Sequence, residues 1–148
     1  MNVVIFDIDG VLIDSVPLHF ESWKIVFEER GVEYDQEDYV KFNDGVKRDE
    51  GVRNVLGDIP RSEVVQLCDR KQELYLDLLQ RKPPGLMQGV LEALALVDSM
   101  GWRKAVASSS KNAVMNLERL GLLTRFETIV SGYDFVRSKP DPEVFLIV

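Results

Sequence analysis

The sequence predicts an α/β protein, a parallel sheet flanked by helices and interrupted by a purely helical insertion. Three observations carry that expectation. Val3-Val4-Ile5-Phe6 is an unbroken β-branched and aromatic run, the pattern of a strand buried on both faces. From about residue 86 the pattern alternates helix, strand, helix, strand, which argues for parallel pairing. Between these, residues from about 15 to 81 contain no convincing strand. The expected division is residues 1–14 and 86–148 as the α/β core and 15–85 as the helical insertion, with Arg81-Lys82-Pro83-Pro84-Gly85 as linker.

Each element has its own signal. After the first strand, Ser15 and Pro17 mark a helix start. His19, Trp23, Val26, Phe27 and Arg30 then recur at helical spacing until Gly31 stops the helix. Further helices are expected over roughly 36–42, 47–56 and 62–80, with Asn43-Asp44-Gly45 and Gly57-Asp58-Ile59-Pro60 as turns. Past the linker come a helix over about 87–100 closed by Gly101 and a strand from Lys104 to Ala107. A helix over about 111–120 closed by Gly121 and a strand from Thr128 to Ser131 follow.

Composition narrows the function. The 148 residues are 45% hydrophobic and 29% charged, which excludes a disordered or collagen-like chain. One Cys excludes a disulfide framework, and one His excludes a His-rich metal site. Against 25 Asp and Glu stand 18 Lys and Arg, a net −7 that disfavours nonspecific binding of nucleic acid or anionic membranes. A local basic pocket for a small phosphorylated ligand is compatible with that balance. No apolar run approaches the ~18 residues of a membrane span, and the start of the chain lacks a signal-peptide pattern, so a cytoplasmic location is expected.

Ligands of parallel α/β sheets bind beyond the carboxyl ends of the strands. Three polar clusters map there: Asp7 and Asp9, Ser108-Ser109-Ser110-Lys111-Asn112, and Ser138-Lys139-Pro140-Asp141. A carboxylate at Asp7 is suited to attack phosphorus, and Asp9 to protonate the leaving oxygen and later deprotonate an acceptor. A phosphoryl group is itself anionic, so attack by a carboxylate needs Mg²⁺, held by Asp7 and Asp9, and a nearby cation, supplied by Lys139. The Ser108 hydroxyl adds a donor, and Gly10 lets the backbone turn tightly. Asp-x-Asp alone is a weak signal. An EF-hand fails because Gly10 falls at loop position four and Leu18 at twelve.

Asp7-Ile8-Asp9-Gly10-Val11-Leu12-Ile13-Asp14-Ser15 resembles the first motif of the haloacid dehalogenase superfamily of phosphotransferases. Ser108 is similar to its second motif and Ser138-Lys139-Pro140-Asp141-Pro142 to its third, and the helical insertion resembles its α-helical cap. The implied fold is a Rossmann-like parallel core with an inserted cap. Within the superfamily, the β-phosphoglucomutase group is resembled most, through His19, Trp23, Gly45-Val46-Lys47-Arg48, Lys71 and Ser110-Lys111-Asn112. That resemblance implies that Arg48, Ser110, Lys111 and Asn112 hold the non-transferring phosphate of the substrate. It places Lys71 and His19 near the sugar and the acid/base, and Ser15 beside Asp9.

Plainer readings stand beside these. His19 and Trp23 lie on the apolar stripe of their helix and suit core packing. Lys71 interrupts an apolar face of Val64, Leu67, Leu74 and Leu78, as a snorkelling stem or as a lysine facing an anion. Arg48 opposes the dipole of the helix it opens unless an anion offsets it. Lys111 suits solvent, Asn112 suits a cap, and Cys68 suits core filling. Glu28-Glu29 and Glu33 to Asp38 read as solvated surface.

The resemblance also implies a fourth, acidic motif completing the Mg²⁺ site, and nothing from Glu143 to Val148 supplies it. The expectation is therefore a C-terminally truncated sheet, in a fragment of a longer enzyme or a truncated relative, with impaired activity. Val3 to Phe6 would become an edge strand, open to self-association. Three functions follow: a sugar-phosphate mutase acting on hexose phosphates, a small-metabolite phosphatase, and a non-catalytic sugar-phosphate-binding remnant or partner subunit.

Overall fold

A computed structural model describes residues 2–148. It contains strands β1 (Val3–Phe6), β2 (Arg103–Ala107) and β3 (Thr128–Val130). The helices are α1 (Val16–Glu28), α2 (Gln36–Phe42), α3 (Arg48–Leu56), α4 (Arg61–Arg81), α5 (Val90–Ser99), α6 (Ala113–Arg119) and α7 (Glu143–Ile147), with a 3₁₀ turn at Leu123–Arg125. They form two compact units, residues 2–14 with 85–148, and Ser15–Pro84.

In the first unit the strands are parallel in the order β1-β2-β3. Phe6 pairs with Val106 and Ala107 with Val130. Successive residues of a strand face opposite sides of a sheet, so the core divides in two. On one side Val106 packs with Ile8, Leu12 and Ile13, Val90 and Leu94 of α5, and Ala113 and Leu117 of α6, with Phe6 and Ile129 against them. On the other, Ala107 and Val130 pack with Phe135 and with Val144 of α7. β2 is paired on both edges, and Lys104 through Ala107 are buried.

The expectation that Val3 to Phe6 is buried on both faces is corrected. β1 is an edge strand among the described residues, and Val3 and Ile5 remain 46% and 38% exposed. By register Ile5 lies opposite Ala105, on the side that Phe135 and α7 cover only over β2 and β3. Two helices also start later than their periodicity suggests. α5 begins at Val90 after Gly89, whose φ of +82° is outside the helical region, and α6 begins at Ala113 after a structured loop.

The helical unit has its own core. Trp23, Val26 and Phe27 of α1 pack with Tyr34, Tyr39, Val52, Val64 and Leu67. Trp23 stacks on Phe27 with centroids 5.3 Å apart, so this tryptophan packs in the core. α2 starts at a reciprocal capping box in which Asp35 accepts from the Asp38 N–H and Asp38 accepts from the Asp35 N–H. Burial, followed by the charges of Asp38 and Asp35, pushes the Tyr34 phenol well above its ordinary range.

Candidate active site

Asp7 follows β1 directly, and Ser108 follows β2 directly, so strand pairing places both at the carboxyl edge of the sheet. The turn beyond Asp7 is tight. The N–H groups of Val11, Leu12 and Ile13 all donate to the Ile8 carbonyl, and Gly10 donates to the Ile13 carbonyl at 2.8 Å. Gly10 has φ +76°, the left-handed region that glycine enters without a Cβ penalty. This turn reverses the chain within a few residues of the strand end and keeps Asp9, which is half-buried, close to Asp7 in sequence and space.

Lys139 reaches the same point from 132 residues away. Its Nζ donates to Asp7 Oδ2 at 2.8 Å and to the Ala107 carbonyl at 3.0 Å. The other Asp7 oxygen, Oδ1, accepts from the Ile8 N–H at 2.7 Å. The carboxylate is thus oriented from both ends and carries a cation at one oxygen. Ser108 is fully buried. Its Oγ accepts from the Ser110 N–H at 3.0 Å, which orients the hydroxyl and leaves its proton to donate elsewhere.

The loop beyond Ser108 is held by a short chain of bonds. Ser110 Oγ accepts from the Asn112 N–H at 3.1 Å, and the Ser110 carbonyl accepts from the Gly132 N–H at 3.1 Å. Asn112 occupies the N-cap of α6 without a side-chain cap bond, so the cap reading holds for its position and not for its amide. Lys111 is exposed, with its Nζ 5.2 Å from the centroid of the Tyr133 ring.

Sequence reasoning missed Gly132, Tyr133 and Asp134. A Cβ on Gly132 would lie 2.4 Å from the Ser109 carbonyl oxygen, so the two loops approach too closely for any other residue. Asp134 Oδ2 accepts from the Ser131 N–H and Oγ at 2.7 and 2.8 Å, closing the turn after β3. A glycine directly after a predicted strand was the one signal available. In the segment after Ser138, Asp141 accepts from the Glu143 N–H and pairs with Arg137 at 3.1 Å. Bonds from the Val136 and Arg137 backbone, then the Arg137 guanidinium, hold the Glu143 carboxyl below its ordinary range.

The remaining predicted residues belong to the helical unit. Ser15 is fully buried at the N-cap of α1 and makes no side-chain cap bond. Arg48 opens α3 and is half-buried, and Asp49 and Glu50 in the same first turn offset its conflict with the helix dipole. Lys71 corrects the snorkelling expectation, being only 1% exposed. Its Nζ lies 2.8 Å from His19 Nδ1 and over the rings of Tyr75 and Trp23, at 4.6 and 5.7 Å from their centroids. The Lys71 Nζ therefore lies among aromatic rings and beside the His19 imidazole rather than in solvent.

The donor chemistry of the strand end fits Mg²⁺. The ion takes hard oxygen ligands, keeps several waters and is often bound by one or two carboxylates together with substrate phosphate. Asp7 and Asp9 supply such a pair of half-buried carboxylates. Among the described residues, no group of three or more His, Cys, Asp or Glu is placed to hold a metal. No helix among them is long and apolar enough to cross a membrane.

A family model described as haloacid dehalogenase-like hydrolase matches residues 4–148. The chain belongs to that family. This haloacid dehalogenase-like hydrolase is 31% identical over 153 residues to the β-phosphoglucomutase of Bacillus subtilis (strain 168), covering 99% of this chain and 67% of the relative. It is 34% identical over 155 residues to the phosphorylated carbohydrates phosphatase of Thermotoga maritima, covering 100% of this chain and 69% of that protein. Among solved structures, it is similar to a β-phosphoglucomutase from Clostridium difficile with TM-score 0.88 and 26% identity, over 99% of this chain and 68% of the other. The α/β fold with a parallel sheet and the family resemblance are thus both upheld, in a chain spanning about two-thirds of these relatives.

Proposed function

We propose that this haloacid dehalogenase-like hydrolase is a phosphotransferase acting on a sugar phosphate, a hexose phosphate foremost, through a phosphoryl group carried on Asp7. One observation supports this most directly: the Asp7 carboxylate, anchored by Lys139 at 2.8 Å, stands at the carboxyl end of a parallel strand. In the proposed reaction an Asp7 oxygen forms a bond to phosphorus as the bond from phosphorus to the leaving oxygen breaks. Asp9 gives that oxygen a proton and takes one from the next acceptor. Lys139 and the Ser108 hydroxyl stabilise the charge on the transferring group. Bound by Asp7 and Asp9, Mg²⁺ supplies further neutralisation of that charge. In the same reading Ser110, Lys111 and Asn112, together with Arg48, recognise the distal phosphate, and Ser15, His19 and Lys71 serve the sugar and the acid/base, while Trp23 stays a core residue.

The named activities of the two relatives above, a mutase and a carbohydrate phosphatase, support a phosphorylated sugar as the substrate class. We place mutase first because a bisphosphate intermediate needs a second anion pocket, for which Arg48 and Lys111 are the cations. The 33% exposure of the Asp7 side chain favours the second reading, a phosphatase, since water then reaches the phosphorylated carboxylate. A cytoplasmic setting suits such a substrate, and the uncharged edge β1 suits self-association of the chain.

The test supplies β-glucose 1-phosphate, trace β-glucose 1,6-bisphosphate and Mg²⁺. Glucose 6-phosphate without free phosphate supports the mutase, and free phosphate from many substrates supports the phosphatase. Calorimetric binding without turnover at high protein concentration leaves the non-catalytic reading. Sedimentation of the same samples reads self-association. Asp7→Asn is expected to abolish transfer; an undiminished rate in that variant overturns the proposal.

A further inference from the structure

The segment from Val136 to Pro142 forms neither strand nor helix, yet it carries the lysine whose ammonium meets Asp7. A loop of this kind needs ties of its own to aim a side chain. They converge on Glu143, the first residue of α7. Glu143 Oε1 accepts from the Val136 N–H at 3.0 Å, and Oε2 accepts from the Arg137 N–H and Nε, each at 3.0 Å. The carboxylate thus reaches back seven residues, past Lys139, and closes the loop at its base. Arg137 also pairs with Asp141 at 3.1 Å, and Asp141 accepts from the Glu143 N–H at 2.9 Å, which completes a ring of bonds. α7 itself is moored to the sheet, since Val144 is fully buried with Ala107, Val130 and Phe135. The next residue, Phe145, sets its ring centroid 5.7 Å from Lys139 Nζ.

We infer that Glu143 is a positioning residue that acts through Lys139, holding the 136–142 loop closed so that the ammonium stays on Asp7. Its effect on rate rests on the proposed function above; its hold on the loop does not. Three N–H donors meet one side chain here, and a carboxylate, with two acceptor oxygens and no donor, satisfies them all. An amide in its place turns one oxygen into an NH₂ group and sets donor against donor. The same three bonds hold the Glu143 carboxyl below its ordinary range, so it stays charged at neutral pH. With the loop released, Lys139 keeps its charge and loses its aim. That loss falls on the step in which charge develops on the transferring group, and less on binding of the ground state.

The experiment reads Lys139 directly, by reductive methylation of the full chain with formaldehyde and a borohydride, followed residue by residue through peptide masses. In the wild type Lys139 is expected to react more slowly than the exposed Lys82, because its Nζ is bonded to Asp7 and to the Ala107 carbonyl. In Glu143→Gln its rate is expected to rise severalfold while the other lysines keep theirs. In nitrophenyl phosphate hydrolysis with Mg²⁺ the same variant is expected to lose about 10²-fold in kcat, the cost of misplacing a catalytic group by ~1 Å, with KM little changed. A Lys139 rate unmoved in folded Glu143→Gln overturns the inference, as does an undiminished kcat. A lowered melting temperature with both readings as in the wild type marks a merely structural role and overturns it too. If that variant fails to fold, Arg137→Leu removes only a guanidinium whose side chain is 69% exposed, and the same two readings decide. Because methylation needs no turnover, an inactive wild type with the expected labelling refutes only the proposed function.

Discussion

Asp7 and Asp9 stand two positions apart and differ in surroundings. Asp7 is pinned by Lys139 at one oxygen and by the Ile8 N–H at the other, so it is aimed. Asp9 sits in the turn that Gly10 tightens and is half-buried. With Asp7 as the nucleophile and Asp9 as the acid and base, the two fail differently when neutralised. Asp9→Asn is expected to lower kcat by about 10²–10⁴-fold, the usual contribution of one general acid–base group. A leaving group that needs no protonation, such as the phenolate of a nitrophenyl phosphate, should escape most of that loss. Steady-state rates on both substrate types check it, and an equal loss on each would remove Asp9 from the acid role.

At the scale of elements, the candidate site is a meeting of strand ends and loops rather than of helices. The loops after β2 and β3 touch at the Ser110 carbonyl and the Gly132 N–H, 3.1 Å apart. Gly132→Ala would bring a methyl against the Ser109 carbonyl, 2.4 Å from its oxygen, where backbone has little room to give. The expected cost is about 1–3 kcal/mol of stability, the range for overpacking a close contact. The same shift loosens the Ser108–Ser110 bond and weakens binding of inorganic phosphate. Urea midpoints and phosphate titration measure the two effects, and a neutral substitution would mean that these loops are not held together.

For the molecule as a whole, charge is the relevant quantity. A net −7 spread over 148 residues sets a repulsive background for any polyanion, while the buried or paired cations at Lys139 and Lys71 act only at short range. The chain is therefore expected to show no measurable affinity for duplex DNA at ~50 mM salt, where nonspecific binders are strongest. Fluorescence anisotropy with a labelled duplex reads this directly. A salt-dependent rise in anisotropy would call for a basic surface that the charge arithmetic does not reveal.

The amino-acid sequence by itself determined the strand–helix alternation, the helical interruption and the three polar clusters that end the strands. Those features rest on local periodicity and on residue types whose chemistry travels with them. It also carried the family motifs around Asp7, Ser108 and Lys139. Tertiary structure alone decided that β1 has one exposed side, because burial depends on which helix lies over a strand and not on the strand's own composition. It alone revealed Gly132 against Ser109, a contact between loops more than 20 residues apart. It also removed one of the two readings of Lys71, the snorkelling stem, by burying the side chain beside His19: helical spacing gives the face of α4, and only the packing of α1 against it supplies the imidazole and the rings.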